Sequence, residues 1–138
     1  MLRSSIAFIA YYPRSAALLG VLWLGLRLSR GLGINEAISL DDFQAVYLKA
    51  QQKGYLHTTS HFEFERDQFP FPYSIGIENC FSLLDSRDLV IFEDGRLLFP
   101  QSVSSTFLPL VTLDLIDLEG VTWLWMENLR KFQPILPS

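Results

Sequence analysis

The chain has 138 residues, of which 49% are hydrophobic, 14% aromatic and 19% charged. A domain of this length buries roughly 68–70% of its unfolded surface. So apolar a composition excludes a disordered chain, and its charge falls short of the ~25% of ordinary domains, so part of the surface is expected to meet another protein. The net charge of −4 is unevenly spread: residues 1–35 hold four arginines and no acid, whereas the remainder sets seven basic residues against fifteen acidic ones, so +4 and −8 give the total.

Met1-Leu-Arg-Ser-Ser-Ile-Ala-Phe8 has the arginine, the serines and the lack of acid of an organellar presequence, and we expect it to be retained. The apolar run Ala16–Leu26 spans eleven residues, short of the about 20 that a membrane helix needs. Tyr11-Tyr-Pro-Arg14 separates it from Ile6–Ala10. No small-residue cleavage site follows it, so neither a membrane span nor a secretory signal is expected, and a cytoplasmic location is.

Pro13 suits the first turn of a helix and Gly31 its stop, which predicts a helix from about Pro13 to Arg30. Leu18, Leu22 and Leu26 form one stripe, and Val21, Leu24 and Leu28 widen it until little polar face is left. In a chain this small, enclosing such a helix is expected to need a partner. Arg27 and Arg30 fall in the last turn, where cations complement the macrodipole.

Ser39, with Asp42 three residues on, reads as an N-cap and a capping-box-like pair. Phe43, Val46, Tyr47 and Ala50 follow at helical spacing up to Gly54. Between 55 and 73 the regularity breaks. Phe62 and Phe64 alternate with Glu63 and Glu65 as in a short strand or extended arm, and Phe69-Pro-Phe-Pro72 excludes a helix interior. A third helix starts near Ser74, with Ile77, Cys80, Phe81 and Leu84 on one face, and ends around Ser86-Arg-Asp88. Asp94-Gly95 between Leu89–Phe92 and Leu97–Phe99 signals a tight hairpin.

In the tail, Ser104–Thr106 reads as a helix start with Pro109 near its first position. Val111, Leu115 and Leu118 agree with that helix, although Leu113 and Leu115 also alternate with Thr112 and Asp114. Gly120 punctuates before a last helix carrying Val121, Trp125, Asn128 or Leu129, and Phe132. The expected fold is mainly α with a small β-hairpin (α+β). It forms a single domain over 1–138, with a core of about 13–100 and a helical C-terminal extension of about 104–133.

Three helices followed by a two-stranded wing give the element order of a winged helix. In its DNA-binding form the helix before the wing enters the major groove. Here that helix carries Glu78, Asp85, Arg87 and Asp88, and the wing carries Glu93 and Asp94 against Arg96. Phosphates are repelled by such a surface, so binding to protein is expected instead. Over roughly residues 15–100, the helix Leu40–Tyr47, the segment Phe69-Pro-Phe-Pro-Tyr73 and the helix-wing unit Ile77–Phe99 resemble the small middle components of ABC-three-component bacterial defence systems, also called Lamassu. The resemblance implies a non-catalytic winged-helix accessory subunit bridging an SMC-like ATPase and an effector such as a nuclease, acting against phage or plasmid DNA. DNA would be met, if at all, through the complex. A similar pattern occurs in antitoxin-like winged helices of the Panacea type, which implies the alternative of a DNA-binding regulator.

Aromatic and long apolar side chains favour interface cores, so Leu18, Leu22, Trp23, Leu26, Trp123, Trp125 and Met126 are the candidate partner contacts. Arg14, Arg27 and Arg30 are the candidate phosphate contacts. No catalytic, cofactor or metal site is expected. His57 and His61 are spaced as helical metal ligands, but Thr58-Thr-Ser60 between them argues against a helix. An enzyme would need one of them to meet Asp114. Asp114, Asp117 and Glu119 lack a phosphate-binding neighbour, Cys80 sits on an apolar stripe, and Gly31-Leu-Gly33 follows a helix rather than a strand.

Overall fold

Helix starts and stops set the architecture, and most lie where the sequence places them. The computed structural model describes residues 13–34, 36–65, 72–100 and 115–132. Within them run α1 (Pro13–Gly31), β1 (Ile38–Ser39), α2 (Leu40–Gln52), α3 (Ile75–Ser86), β2 (Ile91–Glu93), β3 (Arg96–Leu98) and α4 (Leu118–Leu129). One-turn 3₁₀ helices occupy Thr58–Ser60 and Arg130–Phe132. The fold is mainly helical with one small antiparallel sheet, the α+β class expected.

The N-caps of α2, α3 and α4 each satisfy an amide that the helix cannot. Ser39 Oγ accepts from Asp42 N–H at 3.1 Å, Ser74 Oγ from Ile77 N–H at 3.3 Å, and Asp117 from Gly120 N–H at 3.2 Å. The Ser39 pair is not the reciprocal box. Asp is one methylene shorter than Glu, and its carboxylate takes the Ser39 hydroxyl proton at 3.0 Å rather than reaching back to the backbone. α3 ends on Asp88 at φ 60, with Leu89 N–H bonded to Leu84 C=O at 3.0 Å, the six-residue closure usually given to glycine.

The hairpin turn has φ 53 at Asp94 and φ 71 at Gly95, the two left-handed positions of a type I′ turn. β2 and β3 pair with Phe92 opposite Leu97 and Glu93 opposite Arg96. The third strand, β1, was not anticipated. Ile38 pairs with Leu97 and Ser39 with Arg96, which gives the strand order β1-β3-β2. Leu40 N–H, an orphan at the start of α2, donates to Gly95 C=O at 2.8 Å and so ties the hairpin turn to that helix.

Polar side chains on α2 organise the irregular segment that follows. Tyr47 Oη donates to Ser60 C=O at 2.7 Å, and Gln51 grips Phe62 by both backbone groups, at 2.9 and 3.1 Å. The Ser74 amide donates to the buried Gln44 Oε1 at 2.7 Å. Phe62 and Phe64 lie on an extended arm rather than a strand, and Glu65 pairs with Tyr73. Phe69-Pro-Phe71 and residues 101–114, with most of the tail helix expected there, lie outside the described residues. Leu115–Asp117 is not helical: Ile116 forms a β-bridge with Leu56, in which His57 N–H donates to Leu115 C=O at 2.9 Å and Asp117 N–H to Tyr55 C=O at 2.8 Å, so these backbone groups are satisfied outside a helix.

α1 lies at the centre of the core. α4, α3, the Thr58–Ser60 turn, β1 and β3 all pack against it, so Leu18, Leu19, Val21, Leu22 and Leu26 are all buried. The expectation that this helix needs a partner to enclose it is therefore corrected. α4, expected as an extension, supplies Val121, Leu124, Trp125 and Leu129 to the same core. Trp125 Nε1 donates to Val21 C=O at 2.9 Å, in the middle of α1. A Cβ at Gly25 would lie 2.6 Å from that indole, so glycine, unfavourable in a helix interior, lets the two helices close. Gly120 has the same role in the first turn of α4, beneath the Tyr55 ring, and does not interrupt the helix. Phe43 joins α2 to this seam, with its ring 4.8 Å from Phe81 and 6.3 Å from Trp125.

Candidate functional site

Four of the seven apolar residues expected to contact partners are interior. Leu18, Leu22, Leu26 and Trp125 are buried in this chain's own core, because α4 and the Leu56–Phe62 segment supply the enclosure that a neighbour was expected to give. Trp23 is half-buried beneath the Arg27 guanidinium, 5.2 Å from its ring. Trp123 and Met126 alone are open, 56% and 47% exposed on the outward side of α4.

A second open face was not anticipated. On α3 the inward residues Ile77, Phe81 and Leu84 are buried. On the opposite side Ile75 is 55% and Leu83 46% exposed, with Asn79, Ser82 and Ser86 exposed beside them. Only the inner stripe has a clean period in the sequence. Ile75 and Leu83 read as ordinary members of an apolar helix until the direction of the core is known.

This outward face bears no lysine or arginine between Ile75 and Ser86. Its two acids are engaged within the chain: Glu78 accepts from the Tyr73 hydroxyl, and Asp85 accepts weakly from Phe92 N–H at 3.4 Å. The hydrogen bond to the Glu78 carboxylate pushes the pKa of the Tyr73 phenol up to about 12. Between α1, the β1–β3 edge and the end of α4 lies an open groove of about 850 Å³, lined by Glu36, Asp42, Glu93 and Asp94 with Arg96. Asp42 there binds Asn128 Nδ2 at 3.3 Å and pairs with Lys131, linking the start of α2 to the end of α4.

The arginines do not form one patch. Arg14 lies over the Phe62 ring at 5.4 Å, near the start of α1. Arg27 and Arg30 share the last turns, and with a rise of roughly 1.5 Å per residue Arg14 and Arg30 stand about 24 Å apart along the axis.

His57 Nδ1 accepts from Thr59 N–H at 3.2 Å and caps the 3₁₀ turn, while His61 Nε2 lies 3.2 Å from Leu56 C=O. These are structural roles. Among the described residues no group of three or more His, Cys, Asp or Glu is placed to hold a metal. Asp117 is an N-cap and Asp114 lies outside the described residues. Burial pushes the Cys80 thiol pKa up, against a lesser opposing pull from Arg14, so the group is not poised as a nucleophile.

No described helix is long and apolar enough to cross a membrane. Compared with known protein families, with curated proteins and with solved structures, the chain matches none.

Proposed function

We propose that this chain is a non-catalytic, cytoplasmic accessory subunit with a winged-helix architecture, which binds other proteins through the outward face of α3. The partners implied by its resemblance to Lamassu-type middle components are an SMC-like ATPase and an effector such as a nuclease, and the setting is defence against phage or plasmid DNA. The observation that carries this reading is the α3 face itself, with Ile75 and Leu83 open to solvent, Asn79 and Ser82 between them, and no cation from Ile75 to Ser86, Arg87 at the C-cap being a single arginine past its end. A helix that reads DNA is flanked by cations that hold phosphates, whereas exposed apolar side chains rimmed by polar ones suit a protein partner. The strand order β1-β3-β2, in which the strand between the first two helices pairs with the far arm of the wing, supports the winged-helix reading. The long connection between α2 and α3, in place of a short turn, is a departure from it.

The test is co-elution of the full chain with the products of the genes that neighbour its own, among which this reading expects an SMC-like ATPase and an effector. Leu83→Asp and Ile75→Asp are expected to abolish co-elution while leaving the circular dichroism spectrum unchanged. The reading fails if the chain binds random-sequence duplex with steep salt dependence and loses that binding when Arg14, Arg27 and Arg30 are changed together.

A further inference from the structure

Glu119, Trp123 and Met126 lie on α4 at i, i+4 and i+7, and Arg130, the C-cap that continues it with helical φ −57 and ψ −30, follows at i+11; all four are exposed. At 3.6 residues per turn they fall in a strip about 60° wide on the outward side of α4. Neither the Glu119 carboxylate nor the Arg130 guanidinium has an ion-pair partner among the described residues; Lys131, by contrast, is taken by Asp42.

The order of these four residues is self-complementary. Reversing the helix about the point between Leu124 and Trp125 exchanges Glu119 with Arg130 and Trp123 with Met126. A two-fold axis through that point would therefore place every residue of the strip opposite a chemically matched one. Two-fold interfaces require this property, since the same patch must serve both sides. A partner of single charge sign would match only one end of the strip and be repelled at the other.

We propose that the outward face of α4 is the interface of a homodimer, formed by two antiparallel copies of the helix. At its centre each Trp123 packs on the second copy's Met126, a pairing of indole and thioether that tolerates imperfect fit. At each end Glu119 meets the second copy's Arg130. Antiparallel alignment also sets the positive N-terminus of each helix beside the negative C-terminus of the other. The α3 face remains free, so the dimer offers two outward docking faces, and the inference does not depend on what binds there.

Sedimentation equilibrium on the full chain, from micromolar to near-millimolar concentration, is the test, with a circular dichroism melt to verify that each variant folds. The wild type is expected to be a reversible dimer. Glu119→Arg or Arg130→Glu alone sets like charges together at both ends and is expected to raise the dissociation constant roughly tenfold or more. The double reversal is expected to restore it, and Trp123→Ala to abolish the dimer. A wild type that stays monomeric throughout the series overturns the proposal. So does a dimer indifferent to the single reversals, a double variant no tighter than either single one, or a dimer lost in Leu83→Asp instead.

Discussion

α1 and α4 are both apolar helices, and they meet solvent in opposite ways. α1 has the longer unbroken apolar run, yet from Ala16 to Leu26 only Trp23 is left even half-open. α4 divides its apolar residues: Val121, Leu124, Trp125 and Leu129 face inward, and Trp123 and Met126 face out. An apolar run therefore does not mark an interaction surface by itself. What marks one is an apolar residue on the side of a helix that the chain's own core leaves uncovered.

The sharpest way to break this contrast is to cut the seam between the two helices. Trp125→Ala removes the indole that packs on Gly25 and bonds Val21 C=O, and is expected to cost about 3–5 kcal/mol of folding free energy. Urea denaturation would show this as a fall in the midpoint at an unchanged slope. Gly25→Ala comes next. Helix propensity alone favours alanine by ~1 kcal/mol, but the new methyl would stand 2.6 Å from a buried ring. We expect a net loss of about 1–3 kcal/mol from overpacking, and a stabilised variant would mean that α4 is not seated on α1 as described.

Smaller effects sharpen the same division. Ser74→Ala removes the α3 cap and is expected to cost ~1 kcal/mol. On the outward faces, Leu83→Asp is expected to leave stability within about 0.5 kcal/mol while ending association with a partner, a split read by pairing denaturation with co-elution. The smallest effect is at Tyr73. Unfolded, its phenol loses its proton near the ordinary 10.0, and folded it holds the proton up to about 12. The unfolded state releases its proton first, so whatever stability this interaction gives is complete below pH 10 and declines as pH rises toward 12. A Tyr73→Phe difference absorbance titration would show the delayed phenol, and Glu78→Gln would bring it back toward 10.

What the sequence revealed follows how local each signal is. Ser39, Ser74, Gly54 and Asp94-Gly95 act over a few residues, and the caps and the turn lie where those residues predict. β1 is only two residues long and exists because β3 offers an unpaired edge, so no periodicity announces it. The enclosure of α1 depends on residues some hundred positions away, such as Trp125, and on Gln51 and Tyr47 pinning an irregular backbone. Hydropathy alone therefore misread Leu18, Leu22 and Leu26 as surface contacts. For the same reason it missed Ile75 and Leu83, whose significance lies in the direction they face.

Hydrogen exchange on the free chain distinguishes a buried α1 from an exposed one. If α1 is the interior of the fold, its amides from Ala16 to Leu26 exchange only through global unfolding and are the slowest in the molecule, with or without a partner. Rapid exchange along α1 in the free chain, slowed only when another protein is added, would contradict the account and return this helix to the surface.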